Sequence, residues 1–184
     1  MYTLNEGEIT ESFQDLLSDL DTITYASYFC ELIDICLQEG ESNRLLFKEF
    51  ITVFYLMRTK AVDLETLARA FELRILKATG YELSLDRCSI CKEKITSSNY
   101  ISLQYLGGIC NKCNKNNGVD ISNASYNIIK YLNKLPLEKI YRISIPDNLK
   151  KEIYDILKYI ISQNYIRKPK SLEILNISKE VKNE

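Results

Sequence analysis

Cys88-Ser89-Ile90-Cys91, eighteen intervening residues, then Cys110-Asn111-Lys112-Cys113 is the stretch on which the reading of this chain turns. A C-x-x-C pair in a tight turn can present two thiolates to one ion, and a second pair brought back by a hairpin-length excursion completes a tetrahedron. The spacing lies inside the range of four-cysteine zinc sites. Cys88, Cys91, Cys110 and Cys113 are therefore the expected ligands of one structural Zn2+. Four protein ligands would close the coordination shell and leave no position for water or substrate. A redox C-x-x-C would open a helix in a βαβ setting, and neither pair has that context. The start, Met1-Tyr2-Thr3-Leu4-Asn5-Glu6, has neither the basic nor the apolar region of a secretory leader. The expected compartment is the cytoplasm, where thiols stay reduced. No apolar run approaches the ~18 residues of a membrane span.

The residues flanking the cysteines read as helices. Ile23 to Leu37 follows Asp21, a candidate N-cap, and stops before Gly40; Ile23, Ala26, Cys30, Ile33 and Leu37 fall on one face. Leu45 to Met57 is apolar nearly all round, which predicts a central helix. Leu64, Leu67, Ala68, Phe71 and Ile75 form a third stripe, opened by Asp63 and followed by Gly80. Between the cysteine pairs, Tyr100 to Tyr105 alternates as a strand does, and Gly107-Gly108 offers a turn. Beyond them, Ser122 can cap a helix carrying Ile128, Ile129, Leu132 and Leu135 that stops at Pro136. Ile140 to Ile145 reads as extended. Asp147 can cap a last helix with Leu149, Ile153, Ile156, Leu157, Ile160 and Ile161, ended or kinked by Pro169.

The expected architecture is thus all-α: one domain over residues 1–184, with helical parts at 1–86 and 121–184 around a four-cysteine module at 87–120. Cys30 and Cys36, six residues apart on one helix, point in different directions, and the expectation for them is buried free thiols.

Composition narrows the chemistry. The chain has no histidine, which excludes Ser-His-Asp and Cys-His catalysis and any zinc site with a histidine ligand. There is also no phosphate-cradling glycine loop and no paired acid/base motif, so no enzymatic activity is expected. The net charge of −1 hides an asymmetry. Residues 1–86 hold 7 Lys/Arg and 16 Asp/Glu, whereas residues 87–184 hold 17 and 9. A basic second half suits a polyanion, and ordinary solvated faces explain it equally well. The candidate phosphate-facing residues are Lys92, Lys94, Lys112 and Lys115 on the module and Arg167, Lys168 and Lys170 after the last helix. Tyr100 and Tyr105 lie near the first group and could stack on unpaired bases, though most of the 13 tyrosines belong to packing stripes. No base-reading element is visible, so any DNA binding is expected to be non-specific.

Ala70-Phe71-Glu72-Leu73-Arg74-Ile75-Leu76, Gly80-Tyr81, the first cysteine pair and Gly107-Gly108-x-Cys110-x-x-Cys113 together resemble the RecO family of bacterial DNA repair proteins. Tyr25-Ala26-Ser27-Tyr28-Phe29 and Lys170-Ser171-Leu172 add to the likeness, which covers nearly the whole chain. The resemblance implies a helical domain with a zinc finger, acting in recombination after DNA damage. It implies binding of single- and double-stranded DNA, and as partners RecR and the acidic C-terminal tail of the single-stranded DNA-binding protein. It also implies an N-terminal OB-fold, which this chain is expected to lack, with Met1 to Glu11 matching the point where that fold ends. The alternative is a zinc-stabilised protein-interaction domain without DNA binding. The module also resembles that of Arf GTPase-activating proteins, a likeness of fold only; Arg87 is the sole arginine near the cysteines.

Overall fold

Helix α3 (Leu64–Ala78) is the hub, because nearly every residue from Thr66 to Leu76 is buried. This computed structural model describes residues 6–40 and 42–171. The stretch Met1–Asn5, read above for a leader, and Leu172 of the late motif lie outside them. In chain order come a short 3-10 turn (Gln14–Ser18), α1 (Leu20–Cys36), α2 (Arg44–Thr59) and α3. The cysteine module follows with β1 (Tyr100–Ser102), β2 (Gly107–Gly108) and β3 (Gly118–Asp120). Then come α4 (Asn123–Lys134), a 3-10 segment (Leu137–Arg142) and α5 (Asp147–Asn164). The fold is mainly helical with one small sheet, as the sequence implied.

Helix α3 packs against α1, α2, α4 and α5. That encirclement explains why it buries charged residues. Arg69 and Glu72 are each 1% exposed and form an ion pair of 2.8 Å, and the Tyr28 hydroxyl donates to the Glu72 carboxylate. The Arg69 guanidinium also lies 4.6 Å from the centre of the Tyr154 ring. Charges this deep persist only when paired. Asp63 caps α3 as expected, accepting from the Thr66 amide at 2.9 Å, and Gly80 (φ +86°) takes the left-handed turn just past its end.

Several expectations need correction. The N-cap of α1 is Asp19, whose carboxylate accepts from the Asp21 and Thr22 amides; Asp21 is in the first turn. The buried face of α1 is Tyr25, Tyr28, Phe29 and Leu32. Ile23, Ala26 and Ile33 lie at its margin, Cys30 is exposed, and Cys36 is half-buried. Both stripes have helical spacing, but the aromatic one covers more apolar area, and Phe29 meets Phe71 edge-on at 5.4 Å. Helix α2 is peripheral: only Leu46, Val53 and Met57 are buried, and Phe47 is 64% exposed.

Two further corrections concern connections. Ile140–Arg142 belong to a 3-10 segment, and the chain extends only from Ile143. Asp147 is the first residue of α5 and caps nothing; Pro146 precedes it, where its missing N–H costs no bond. Helix α5 ends at Asn164, so Pro169 neither ends nor kinks it. Tyr165 turns inward there and its hydroxyl meets that of Thr79. Ser122 caps α4 by accepting from the Ser125 amide, and Glu152 of α5 reinforces this end by accepting from both serine hydroxyls. Among the described residues no helix is long and apolar enough to cross a membrane.

Candidate metal centre

The sheet that carries the cysteines is antiparallel in the order β2-β1-β3, with Ile101 opposite Gly108 and Val119. The alternating run ends as strand at Ser102; Leu103–Leu106 make the turn, with Leu106 left-handed at φ 47°. Gly107 and Gly108, expected as the turn, are β2 itself. A Cβ on Gly108 would lie 2.1 Å from the Tyr126 Oη and 2.8 Å from Ile95 Cδ1, so glycine is needed there for close approach.

The first cysteine pair sits in a turn stapled by Cys88 N–H to Glu93 O (2.8 Å) and Lys92 N–H to Cys88 O (3.0 Å). The second begins just after β2, closed by Cys113 N–H to Cys110 O at 3.3 Å. Ser89 N–H donates to Gly108 O at 3.0 Å and fixes one turn against the other. All four Sγ atoms lie within 4.8 Å of one another, and those of Cys91 and Cys110 are 3.7 Å apart. Tetrahedral bonds of ~2.3 Å require sulfurs about 3.8 Å apart. The cluster is positioned for metal binding.

Its electrostatics fit a cation. Burial pushes the Cys88 thiol up, but the N–H groups of Cys110, Cys91 and Ile90 hold it down at about 6. The Cys110 N–H stands 3.4 Å from its sulfur. Cys113 is pushed up to about 12, first by its contact with the Cys110 thiol and then by burial. The Cys88 sulfur ionises readily while those of Cys91 and Cys113 resist, because a second anion would crowd the first. A dication held by the four sulfurs would remove that conflict and favour the thiolate forms.

The module is welded to the helical body through α4. The Tyr126 hydroxyl donates to Leu85 O at 2.9 Å in the core. Lys130 Nζ reaches the carbonyls of Ile95 and Thr96 and pairs with Asp86 at 3.0 Å; Lys134 pairs with the same carboxylate at 2.6 Å. These links border an open polar groove of about 620 Å³ that Lys77, Arg87 and Asn133 also line. Sequence reasoning missed them. The available signal was Asp86-Arg87 directly before Cys88, with Lys130 and Lys134 four apart on a later helix.

The seven candidate phosphate-facing residues fall into two groups. Lys92, Lys94, Lys112 and Lys115 are exposed on the module. Lys92 Nζ donates to Ser89 O at 2.7 Å, Lys112 lies 3.5 Å from Glu93, and Lys115 donates to Asn99 at 2.8 Å. Arg167, Lys168 and Lys170 lie on the segment that crosses back over α1. Arg167 pairs with Asp34 at 2.9 Å, and the Lys170 and Ser171 amides donate to Glu31.

The family model described as Recombination protein O C terminal matches residues 17–173. A DNA repair protein RecO from Clostridium acetobutylicum is 58% identical over 180 residues, covering 98% of this chain and 73% of the relative. Its namesake from Clostridium kluyveri is 54% identical over 175 residues, covering 95% and 68%. At greater distance, one from Alkaliphilus metalliredigens is 30% identical over 166 residues, covering 88% and 66%. The match runs through the buried hub, the cysteine turns and α5 alike, and the chain belongs to the RecO family of DNA repair proteins.

Proposed function

We propose that the chain works as one domain over residues 1–184, a non-enzymatic recombination mediator that holds DNA and repair partners. One structural Zn2+ on Cys88, Cys91, Cys110 and Cys113 keeps the 87–120 module folded. The observation that carries this reading is the family match over residues 17–173. The closed thiolate set and the absence of histidine favour holding over bond chemistry.

Single- and double-stranded DNA would lie against the module, which has five Lys/Arg and two Asp/Glu over residues 87–120. Lys92, Lys94, Lys112 and Lys115 supply phosphate contacts there, and Arg167, Lys168 and Lys170 a second group. Non-specific affinity of this kind is driven by counterion release.

Partner docking has a separate candidate. A small pocket between α1 and α5 is lined by Tyr28, Tyr154, Ile161 and Pro169, with Lys158 and Lys168 beside them. Apolar walls with two ammonium groups suit an acidic peptide with an apolar end, such as the tail of the single-stranded DNA-binding protein. RecR is the other expected partner. This pocket is what favours the second reading, an interaction domain without DNA binding.

Elemental analysis is expected to find one zinc per chain. Anisotropy titrations of labelled oligonucleotides over a salt series distinguish the two functions. Four engaged lysines give a slope of log K against log salt of about −3 on single strands. Lys→Gln at Lys92, Lys94, Lys112 and Lys115 should flatten it. No binding at low salt, with RecR or the acidic tail still captured, would establish the second reading and end the first.

A further inference from the structure

Between the small sheet and α5 runs an open groove of about 660 Å³, lined among others by Tyr100, Gln104, Asn117, Gly118, Tyr159 and Gln163. Among the described residues none of its lining side chains is charged. That separates it from the polar groove beside Asp86 and from the pocket between α1 and α5. Tyr159 is 45% exposed, and Gln163 follows one turn later on the same face of α5. On the opposite wall, Leu103 N–H donates to Asn117 O at 2.8 Å, tying the Gln104 turn to the Asn117 turn. Lys115 Nζ stands 5.6 Å from the centre of the Tyr100 ring and places one cation beside the groove.

We propose that this groove holds one unpaired nucleobase of a single strand, stacked on Tyr159, with its edge met by the carboxamides of Gln104, Asn117 and Gln163. A carboxamide presents a donor and an acceptor side by side, which is what a base edge offers in return. Stacking on a tyrosine face tolerates any base. Lys115 is placed for the adjoining phosphate. An acidic peptide would find no cation inside the groove, and a duplex keeps its bases stacked away from Tyr159. The inference rests on the DNA-binding reading above and adds to it a preference for single strands. Three of the contacts come from the sheet and its turns, so the site also depends on the module being folded.

The test uses the full 184-residue chain and a single strand of about 12 nucleotides carrying a fluorescent purine analogue, with the matched duplex as control. Binding is expected to quench the analogue. Tyr159→Ala should lose the quench and about tenfold in single-strand affinity, with duplex affinity unchanged. Tyr159→Phe should keep both, and Gln163→Ala should weaken the quench. Circular dichroism checks that the variants fold, which the exposure of Tyr159 favours. An unchanged quench in Tyr159→Ala, or an equal loss on single strand and duplex, overturns the inference and leaves DNA binding standing. If the unaltered chain binds neither DNA, the DNA-binding reading falls and this one with it.

Discussion

Replacing Arg74 by Met is expected to destabilise the chain by about 3–5 kcal/mol, because it removes a buried guanidinium from three carbonyls and from the half-buried Glu49. The side chain is 6% exposed and sits between α3, α2 and the end of α4. Its Nη1 donates to Asn133 O at 3.0 Å, its Nη2 to Leu132 O at 3.1 Å and to Leu135 O, and its Nε faces Glu49 at 3.2 Å. Leu132 and Asn133 carry two of the last four carbonyls of α4, which have no partner within the helix. Arg74 is therefore a C-cap supplied from another helix, and its charge also opposes the negative end of α4. Methionine keeps the apolar stem and removes every donor. Charged hydrogen bonds are worth ~1.5–3 kcal/mol each. The full sum is not expected, because the adjoining groove lets water reach some of the freed carbonyls.

Urea unfolding followed by circular dichroism reads the effect, with metal in excess because bound metal shifts the transition by itself. At about 2 kcal/mol per molar urea, the midpoint should fall by about 1.5–2.5 M. Arg74→Lys should recover little, since one ammonium cannot fork to three carbonyls and a carboxylate. Glu49→Met combined with Arg74→Met should cost less than the two singly, because the charge that the first variant strands is gone. A midpoint shift below ~0.5 M for Arg74→Met, or strict additivity of the pair, would refute this account of how α4 is anchored.

Three other outcomes concern the module and the start of α3. Stripping the metal, or Cys91→Ser, should remove hydrogen-exchange protection from the module while Phe71 and its neighbours in α3 stay protected; uniform loss would show that the module and hub fold as one unit. Gly108→Ala drives a methyl into Tyr126 and Ile95 and should cost about 1–3 kcal/mol, and adding Tyr126→Phe should relieve part of it. In Asp63, burial pushes the carboxyl up, but the Thr66 hydroxyl and amide and the Lys150 ammonium hold it below its ordinary value. A depressed carboxylate contributes stability above its unfolded pKa of about 3.9 and loses it as pH falls through the folded value. Asp63→Asn should therefore flatten the fall of Tm with acidification below about pH 4, and identical profiles for both chains would count against a depressed Asp63 carboxylate.

Legibility followed the kind of signal. Helix stop and start residues worked where one side chain does the capping, as at Asp63 and Ser122. They failed by two residues at α1, where Asp19 and Asp21 offer the same chemistry and only the backbone chooses between them. Apolar periodicity found the face of α3 but misjudged α1, since Ile23-Ala26-Cys30-Ile33 and Tyr25-Tyr28-Phe29-Leu32 both satisfy helical spacing. It misjudged α2 for a related reason: Leu45 and Phe47 make that helix look buried, yet its partners cover only one side.

The chain of amino acids alone settles the cysteine cluster, because two C-x-x-C turns separated by a hairpin have few ways to avoid meeting. It also settles the helical class and the family, through motifs that are local in sequence. Tertiary packing alone decides which helix is the hub, because centrality depends on how many neighbours surround a helix and not on its own pattern. For the same reason Arg69, Glu72 and Arg74 read as an ordinary polar face until four helices close around them. The groove between Tyr159 and Asn117 likewise exists only once these residues, 42 positions apart in the chain, are brought side by side by α5 and the sheet.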